Sequence, residues 1–558
     1  MMKKIKRILL VPSLLLLCAG VVFVGCGGGG GGGGPKVGAQ NKNFSVGGTV
    51  AGLEGTLILQ NNGGDDLTIQ ADGPFTFATV LARNAAYDVT VLDKSPIQNV
   101  AVINGKGTIN NTDIVNINVV CTDRWMHPLT LIDNMSPDGQ GVYDVSTAID
   151  DQGNALVVWR QSDGTNSQIF KSEYTARGWS HPADLFDNIS PDGQDVECPS
   201  VAMNAAGDAV IAWSQHDGTH LQIFVSQRES GIWTHPVDLT DSISPPGKNA
   251  SDVQVAIDDN GDAIVAWSQS DSSNQLQIFK SEYRAGAWKH PTGLTDNISP
   301  DGQPVWPASV AMDNLGNAII AWPQKDGANW RIYLSEYRSG QWVDPTLLEA
   351  ISPAGENAWF PALAMDDAGN AIIAWPQFDG ADLQIFMSEY RSGLWSHPMG
   401  LLDNISPDGE YTFDPTVAMD NNGNAIIAWY QSDGTHSQIF MSEYRGGSWT
   451  HPLDLDDNIS PDPPSSSVPG ANAPHVAMGD NGEAVIVWRQ SDGSRYQVFK
   501  REFRETLWFE PIDILDNISP DGESVYEPHV ATNDSGETLV VWRQSDGATS
   551  QAFKSEFR

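Results

Sequence analysis

Aromatic side chains that recur near carboxylates are the residues of this chain whose types could do chemistry. They lie at or just before the start of one β-segment in several repeated units. Aromatic rings stack on the apolar faces of sugars, and nearby carboxylates accept hydrogen bonds from sugar hydroxyls. Packing between the units is the alternative explanation for the same residues. The candidate ligand-binding residues are Tyr143, Trp306, Trp359, Phe360, Phe413 and Tyr526.

Two sets of aspartates also recur, one after the second β-segment of each unit and one in a Ser-Pro-Asp sequence between units. Carboxylate oxygens are good Ca²⁺ ligands, but Asp and Gly also suit tight turns. The sequence contains no EF-hand or other dense ligand loop, so we expect no cofactor and keep Ca²⁺ as the weaker alternative. The first set is Asp163, Asp217, Asp271, Asp326, Asp379, Asp433, Asp492 and Asp546, and the second is Asp138, Asp192, Asp301, Asp408, Asp462 and Asp521.

A histidine recurs next to proline in six units, for example His397 before Pro398. Histidines of different units are too far apart to share a metal ion, and their position fits a hydrogen bond that caps a turn. The chain has no Gly-x-Ser-x-Gly, His-Glu-x-x-His or P-loop pattern. We therefore expect no metal site and no catalytic residues, and we predict that the chain is not an enzyme.

The elements that position these residues are read from an internal repeat. Trp-x-His-Pro or a close variant occurs eight times, with gaps of 53 to 59 residues. Each unit contains four short β-segments separated by turn residues, which is typical of a propeller blade. A second tryptophan in each unit precedes Gln by two residues and is expected in the core between sheets. The tryptophans of the first pattern are Trp125, Trp179, Trp233, Trp288, Trp342, Trp395, Trp449 and Trp508.

The phase of the repeat predicts that the ring is closed. The repeat region opens at Trp125 with a fourth β-segment, and the chain ends at Arg558 with a third one. Residues 125–131 can therefore complete the last blade and leave no open sheet edge. The prediction is an all-β fold, an eight-bladed β-propeller closed by a strand swap, preceded by a small N-terminal β-sandwich.

The turn from the third to the fourth segment mostly reads Ser-x-[Tyr/Phe]-x-x-Gly-x-Trp, as from Ser388 to Trp395. This pattern resembles a degenerate Asp-box of sialidase-like propellers. The resemblance implies the fold, and a sialidase-like glycoside hydrolase is the alternative function. Such enzymes use an arginine triad, whereas arginines such as Arg284 and Arg391 lie in a repeated Glu-Tyr-Arg segment around the periphery.

The first residues combine a positive segment, an apolar run from Ile8 to Val24 and the sequence Phe23-Val24-Gly25-Cys26. This resembles a bacterial lipoprotein signal, which implies lipidation at Cys26. An ordinary cleaved signal or a short anchor helix is the alternative. The glycines that follow predict a flexible tether, and Gly27 resembles the signal for outer-membrane sorting.

The segment Ser45 to Leu53, with Gln60 to Asp65, resembles prealbumin-like sandwiches that space other domains in exported bacterial proteins. The predicted domains are 1–25, signal peptide; 26–43, Gly-rich tether; 44–122, β-sandwich spacer; and 123–558, propeller.

The chain carries 70 acidic and 31 basic residues, a net charge of −39. Such a charge repels nucleic acid and anionic lipid surfaces and favours cations, neutral glycans or basic protein surfaces. We expect a monomeric cell-envelope lipoprotein of the outer membrane that touches the membrane only through its lipid. Its non-catalytic propeller is predicted to bind a glycan or a protein partner on the loop-rich face.

Overall fold

The structure is a computed structural model that describes residues 42–558 except 54, 95–97, 124, 464, 466, 505–506 and 512–513. The signal segment, Cys26 and the tether up to residue 41 lie outside the described residues. Among the described residues no helix is long and apolar enough to cross a membrane. The described chain divides into two compact units, 42–94 with 100–121 and 98–99 with 122–558.

The N-terminal unit is a β-sandwich, as predicted. One sheet has the strand order Gly73–Thr76, Val46–Ala51, Ile114–Asp123, Gln98–Ile103, and the other has the order Gly64–Ile69, Leu57–Asn61, Ala86–Lys94, Lys106–Thr108. Asn43–Phe44 and Leu81–Ala82 form a separate pair.

The two sheets share one hydrophobic core, because alternate residues of each strand point inward. Val46 and Val119 come from the first sheet, and Leu59 and Val89 come from the second. Ile114–Asp123 pairs with Val46–Ala51 in parallel. Gly48 permits this close pairing, because a β-carbon there would lie 1.8 Å from the Ile117 carbonyl oxygen.

The second unit contains eight antiparallel sheets of four strands. We number these blades 1 to 8 along the chain. The strands of each blade are called A to D in the order in which they pair across the sheet. The A strands are Val142–Ile149, Val196–Met203, Ala250–Ile257, Ser309–Met312, Ala362–Met365, Thr412–Met419, Ala471–Met478 and Val525–Thr532. The B strands are Ala155–Ser162, Ala209–His216, Ala263–Ser270, Ala318–Lys325, Ala371–Phe378, Ala425–Ser432, Ala484–Ser491 and Thr538–Ser545.

The outer half of each blade is formed by strands C and D. The C strands are Ser167–Thr175, Leu221–Glu229, Leu276–Arg284, Trp330–Arg338, Leu383–Arg391, Ser437–Arg445, Tyr496–Arg504 and Ser550–Phe557. The D strands are Gly178–Ser180, Ile232–Thr234, Ala287–Lys289, Gln341–Val343, Leu394–Ser396, Ser448–Thr450, Leu507–Phe509 and, for blade 8, Trp125–Met126.

Successive A strands contact one another around the whole ring, including Val142–Ile149 of blade 1 with Val525–Thr532 of blade 8. Trp125 and Met126 pair with Phe557 and Glu556, so the start of the repeat region completes the last blade. This confirms the predicted eight-bladed propeller and its strand swap. The structure corrects the length of the D strands, which is two or three residues, whereas the predicted fourth segment 125–131 has seven.

The His-Pro sequence explains why the D strands are short. Pro398 has no N–H to donate to a β-ladder. His397 turns toward strand C instead, and its Nδ1 lies 2.9 Å from Ser388 Oγ. Blade 7 replaces this pair with Arg501 and Glu510, whose side chains form an ion pair. The recurrent histidines therefore link the end of strand D to strand C through a hydrogen bond.

The eight B-strand tryptophans are fully buried between the sheets, as predicted. In blade 6 the Trp429 indole donates to Gln431 Oε1 at 3.2 Å. The Gln431 amide in turn donates to the Pro407 carbonyl at 2.6 Å. Each Trp-x-Gln sequence thereby ties the loop between blades to the core. The buried tryptophans are Trp159, Trp213, Trp267, Trp322, Trp375, Trp429, Trp488 and Trp542.

Candidate functional site

The start of each A strand contains a β-bulge or an equivalent break in pairing. In blade 1, Tyr143 pairs with Arg160 and Ser146 pairs with Val158, so two residues of strand A oppose one of strand B. A bulge bends the strand and redirects its side chains. The bulge residues have positive φ angles in seven blades, at Asp144, Cys198, Asp252, Phe360, Asp414, Ala473 and Glu527. Blade 4 has Pro307 at this position, whose ring requires a negative φ.

The positive φ angles lie outside the usual range for residues with a side chain, and Phe360 at 33° is the bulkiest example. Strain of this kind persists where the surrounding structure holds it, often at functional sites. Because strands A and B are antiparallel, the bulges and the loops between strands B and C lie at the same end of each blade. This end carries the residues that differ most between blades.

Four of the six predicted site residues line one cavity of about 500 Å³ at this end. Trp306 comes from blade 4, Trp359 and Phe360 from blade 5, and Phe413 from blade 6. We call this cavity the aromatic pocket, and its further lining residues are Pro376, Phe378, Leu383, Tyr411 and Asp414. Its volume lies within the range of small-molecule binding sites.

The rings of the pocket contact one another edge-on rather than filling the cavity. Trp306 and Phe360 have ring centroids 5.5 Å apart at an interplanar angle of 88°. Trp359 meets Phe378 at 5.6 Å and 73°. Trp306 and Phe413 are each 40% exposed, and Phe360 is 50% exposed. The faces of several aromatic rings are therefore open to a ligand.

Asp414 is the carboxylate at the wall of the pocket. Desolvation raises its pKa although the side chain keeps access to solvent, and the nearby Arg489 charge opposes the rise. Burial, with the Asp414 charge adding to it, raises the pKa of Tyr430 to about 12. Tyr430 stacks on Phe413 at 5.3 Å. The pocket thus combines aromatic rings with the carboxylate of Asp414.

The other two predicted residues, Tyr143 and Tyr526, do not line the aromatic pocket. They belong to a row of alternating cations and rings across blades 7, 8 and 1, which we call the arginine–tyrosine row. Arg543 lies 4.8 Å from the Tyr526 ring centroid and 5.5 Å from that of Tyr143. Arg489 lies 5.7 Å from Tyr526, and Arg160 lies 5.1 Å from Tyr143.

The sequence interpretation missed the three arginines of this row, since it considered only the peripheral ones. Arg160, Arg489 and Arg543 stand between the Trp and Gln of strand B. Variation at this one position could have identified them, because it holds Arg, Ser, Pro or Tyr in different blades. The peripheral arginines have another role, because each stacks on the next blade, as Arg391 does on Tyr444 at 3.8 Å.

The aspartates after strand B cap their own turns, except Asp326, whose side chain accepts a hydrogen bond from Arg331. Asp163 Oδ1 accepts hydrogen bonds from the backbone N–H groups of Thr165 and Asn166, at 2.6 and 2.8 Å. Within the residues that the structure describes, no group of three or more His, Cys, Asp or Glu side chains is placed to hold a metal ion. The possible role of Ca²⁺ stays a prediction.

Several solved structures are similar to this chain at low identity. An ulvan lyase described as a new family of polysaccharide lyase is 11% identical, with 77% of this chain and 95% of that chain covered and a TM-score of 0.39. A Hadza microbial sialidase is 13% identical, covering 66% and 77% at a TM-score of 0.34. An α-L-arabinofuranosidase of Fusarium graminearum is 14% identical, covering 57% and 96% at a TM-score of 0.33.

The prediction that the chain is not an enzyme is contradicted by these comparisons, because the similar structures are mainly enzymes. No family model and no curated protein sequence matches the chain. The chain is an all-β protein with an eight-bladed propeller.

Proposed function

We propose that this protein binds carbohydrate in the aromatic pocket of blades 4 to 6. The observation that carries the proposal is the set of partly exposed rings of Trp306, Trp359, Phe360 and Phe413 around one cavity. Sugar rings present C–H faces that pack on aromatic rings, and their hydroxyls need polar partners at the edge. Asp414 supplies such a partner.

Binding is measured by titrating the full chain with a panel of oligosaccharides and following heat or tryptophan fluorescence. Trp359→Ala and Trp306→Ala should each weaken binding about tenfold or more, because central aromatic contacts dominate such interfaces. Phe186→Ala is the control, since this ring is 81% exposed and does not line the pocket. Equal binding by all four proteins would contradict the proposal.

The same oligosaccharides are incubated with the protein and analysed for chain shortening and for new unsaturated ends. Shortening that disappears in Asp414→Asn but persists in Phe186→Ala would add hydrolase or lyase activity to the binding function. Asp414 is the residue to test, because a carboxyl group with a raised pKa in a pocket is suited to proton transfer.

The protein is further proposed to be a lipoprotein of the cell envelope, attached through Cys26 and facing its ligand at the outer membrane. Metabolic labelling with a fatty acid should modify the wild type and Cys18→Ala but not Cys26→Ala. Label retained in Cys26→Ala would contradict the anchor. The sandwich of the N-terminal unit is proposed to act as a spacer for the propeller.

A further inference from the structure

Arg489 is the member of the arginine–tyrosine row that forms no ion pair in the described part of the chain. Arg160 Nε forms an ion pair with Asp144 at 2.7 Å. Arg543 makes two parallel contacts of 3.1 Å to the Glu527 carboxylate. Arg489 Nε instead donates to the neutral Asn472 amide oxygen, and no carboxylate among the described residues lies within ion-pair distance of it.

The bulge residue decides this difference. Asp144 and Glu527 occupy the bulge position of blades 1 and 8 and face the strand B arginine of the same blade. Blade 7 has Ala473 at that position, with a φ of 51° that matches 49° at Glu527. Alanine cannot neutralise an arginine. Of the three arginines at this strand B position, two pair with a carboxylate of their own blade. The described residues give Arg489 no ion pair, and Asp414 of blade 6 acts on it from beyond ion-pair distance.

Arg489 is held in place with its charged end available. Tyr496 and Tyr526 lie 5.1 and 5.7 Å from its guanidinium carbon. Within the described part of the chain, only Nε has a hydrogen-bond partner, so the two terminal nitrogens keep their four N–H groups. A fixed guanidinium fork with free N–H groups matches the geometry of a carboxylate or a sulfate.

Arg489 also lies beside the aromatic pocket. Strand A of blade 6, which carries Phe413 and Asp414, contacts strand A of blade 7, whose Asn472 accepts the hydrogen bond from Arg489 Nε. In agreement with this placement, the Arg489 charge lowers the pKa of Asp414 against the rise caused by burial. A ligand whose sugar rings occupy the pocket can therefore extend toward blade 7 and reach the guanidinium.

We propose that Arg489 binds an acidic group, a carboxylate or a sulfate, of a carbohydrate whose rings occupy the aromatic pocket. The proposal rests on the function proposed above and names its ligand class, an anionic oligosaccharide. It differs from the expectation drawn from net charge, which favoured neutral glycans. Charges beyond about 10 Å are screened at ordinary salt, so the groups beside the ligand outweigh the total of −39.

The experiment compares neutral, uronate-containing and sulfated oligosaccharides of equal length by titration of the full chain. The wild type should bind one acidic class about tenfold more tightly than the neutral one, because charge-assisted bidentate contacts are strong. Whether the uronate or the sulfate series is preferred identifies the acidic group. Preference for the acidic series should fall as salt is raised.

Two variants test the role of the Arg489 charge in different ways. Arg489→Gln removes the charge, and Ala473→Glu copies the Glu-Pro-His sequence of blade 8 and supplies an internal partner. Both should abolish the preference for acidic oligosaccharides and leave neutral binding unchanged. Arg495→Gln is the matched control, since this exposed arginine of the same blade already pairs with Glu523. Thermal unfolding verifies that each variant is folded.

The outcomes separate the two proposals. If neutral and acidic oligosaccharides bind equally and depend on Trp359, the carbohydrate function stands and the role of Arg489 is wrong. The same conclusion follows if the acidic preference survives both Arg489→Gln and Ala473→Glu. If no oligosaccharide of any class binds, both proposals are wrong.

Discussion

Trp125 pairs in register with Phe557, joining the first strand of the propeller region to the last strand of the chain. The ring centroids of the two residues lie 5.6 Å apart. The Trp125 indole also donates to the Glu502 carboxylate of blade 7 at 3.0 Å. One residue thus connects blade 8 with blade 7 and covers a sheet edge that would otherwise be open.

Trp125→Ala should destabilise the propeller by about 3 kcal/mol, the usual cost of removing a large packed aromatic side chain. Trp449→Ala is the control, because Trp449 also lies on a D strand and donates to a carboxylate, Glu389. Hydrogen exchange in Ser550–Phe557 should accelerate only in Trp125→Ala, since only this change opens the ring. Equal exchange in both variants would show that closure does not depend on Trp125.

Gln431→Met should lower both stability and carbohydrate binding. It leaves the Trp429 indole and the Pro407 carbonyl without partners, at a cost of about 1–3 kcal/mol for each buried group. The loop it releases carries Tyr411 and leads into Phe413 and Asp414 at the start of strand A. Gln215→Met breaks the equivalent bonds in blade 2, so it should reduce the melting temperature similarly but leave binding intact. Loss of binding in both variants would argue against a local effect.

Asp414→Asn should strengthen the binding of acidic oligosaccharides at neutral pH, because it removes a negative charge beside Arg489. The pKa of Asp414 is raised, so lowering the pH protonates the wild-type carboxyl before an ordinary aspartate. The advantage of the variant should therefore shrink as the pH falls. Dissociation constants measured across pH for both proteins check this, and an advantage that grows in acid would contradict it.

At the opposite end of the blades, the turns between strands A and B lie in a ring, and hydrogen bonds from a backbone N–H to a side-chain oxygen join most neighbouring turns. The Asp534 N–H donates to Asp151 Oδ1 at 3.4 Å, and the Asp480 N–H donates to Asp534 Oδ1 at 3.3 Å. Burial and the neighbouring Asp534 charge raise the pKa of Asp151 to about 6. Blades 4 and 6 carry Asn314 and Asn421 in this ring.

Asp151→Asn should raise the melting temperature at pH 8 but not at pH 4. The folded-state pKa of about 6 lies above the ordinary value of 3.8. The folded state therefore binds the proton more tightly, and the stabilisation present in acid is lost as the pH rises through about 6. The Asn side chain does not ionise, so the variant avoids this loss of stability. Its amide oxygen can still accept the hydrogen bond from the Asp534 N–H. Asp138→Asn, at an exposed loop, is the control, and thermal melts of both variants at the two pH values provide the comparison.

Much of the architecture follows from the sequence because the blade is a local unit. Its four strands are adjacent in the chain, its turns carry Gly and Asp, and its buried tryptophan recurs at one position. The phase of the repeat between Trp125 and Arg558 then implies how the ring closes. The length of the outer strand was overestimated, although the Pro after each His already limited it.

The sequence by itself determined that aromatic residues collect at the start of the A strands, but only the tertiary structure decided which ones share a cavity. Trp306 and Phe413 lie two blades apart and meet at the aromatic pocket, whereas Tyr143 and Tyr526 lie among arginines. The lack of an ion-pair partner for Arg489 within its blade became visible only once the bulge placed Ala473 opposite strand B. Side chains distant in sequence become neighbours through strand register and blade packing, and periodicity alone specifies neither at a bulge.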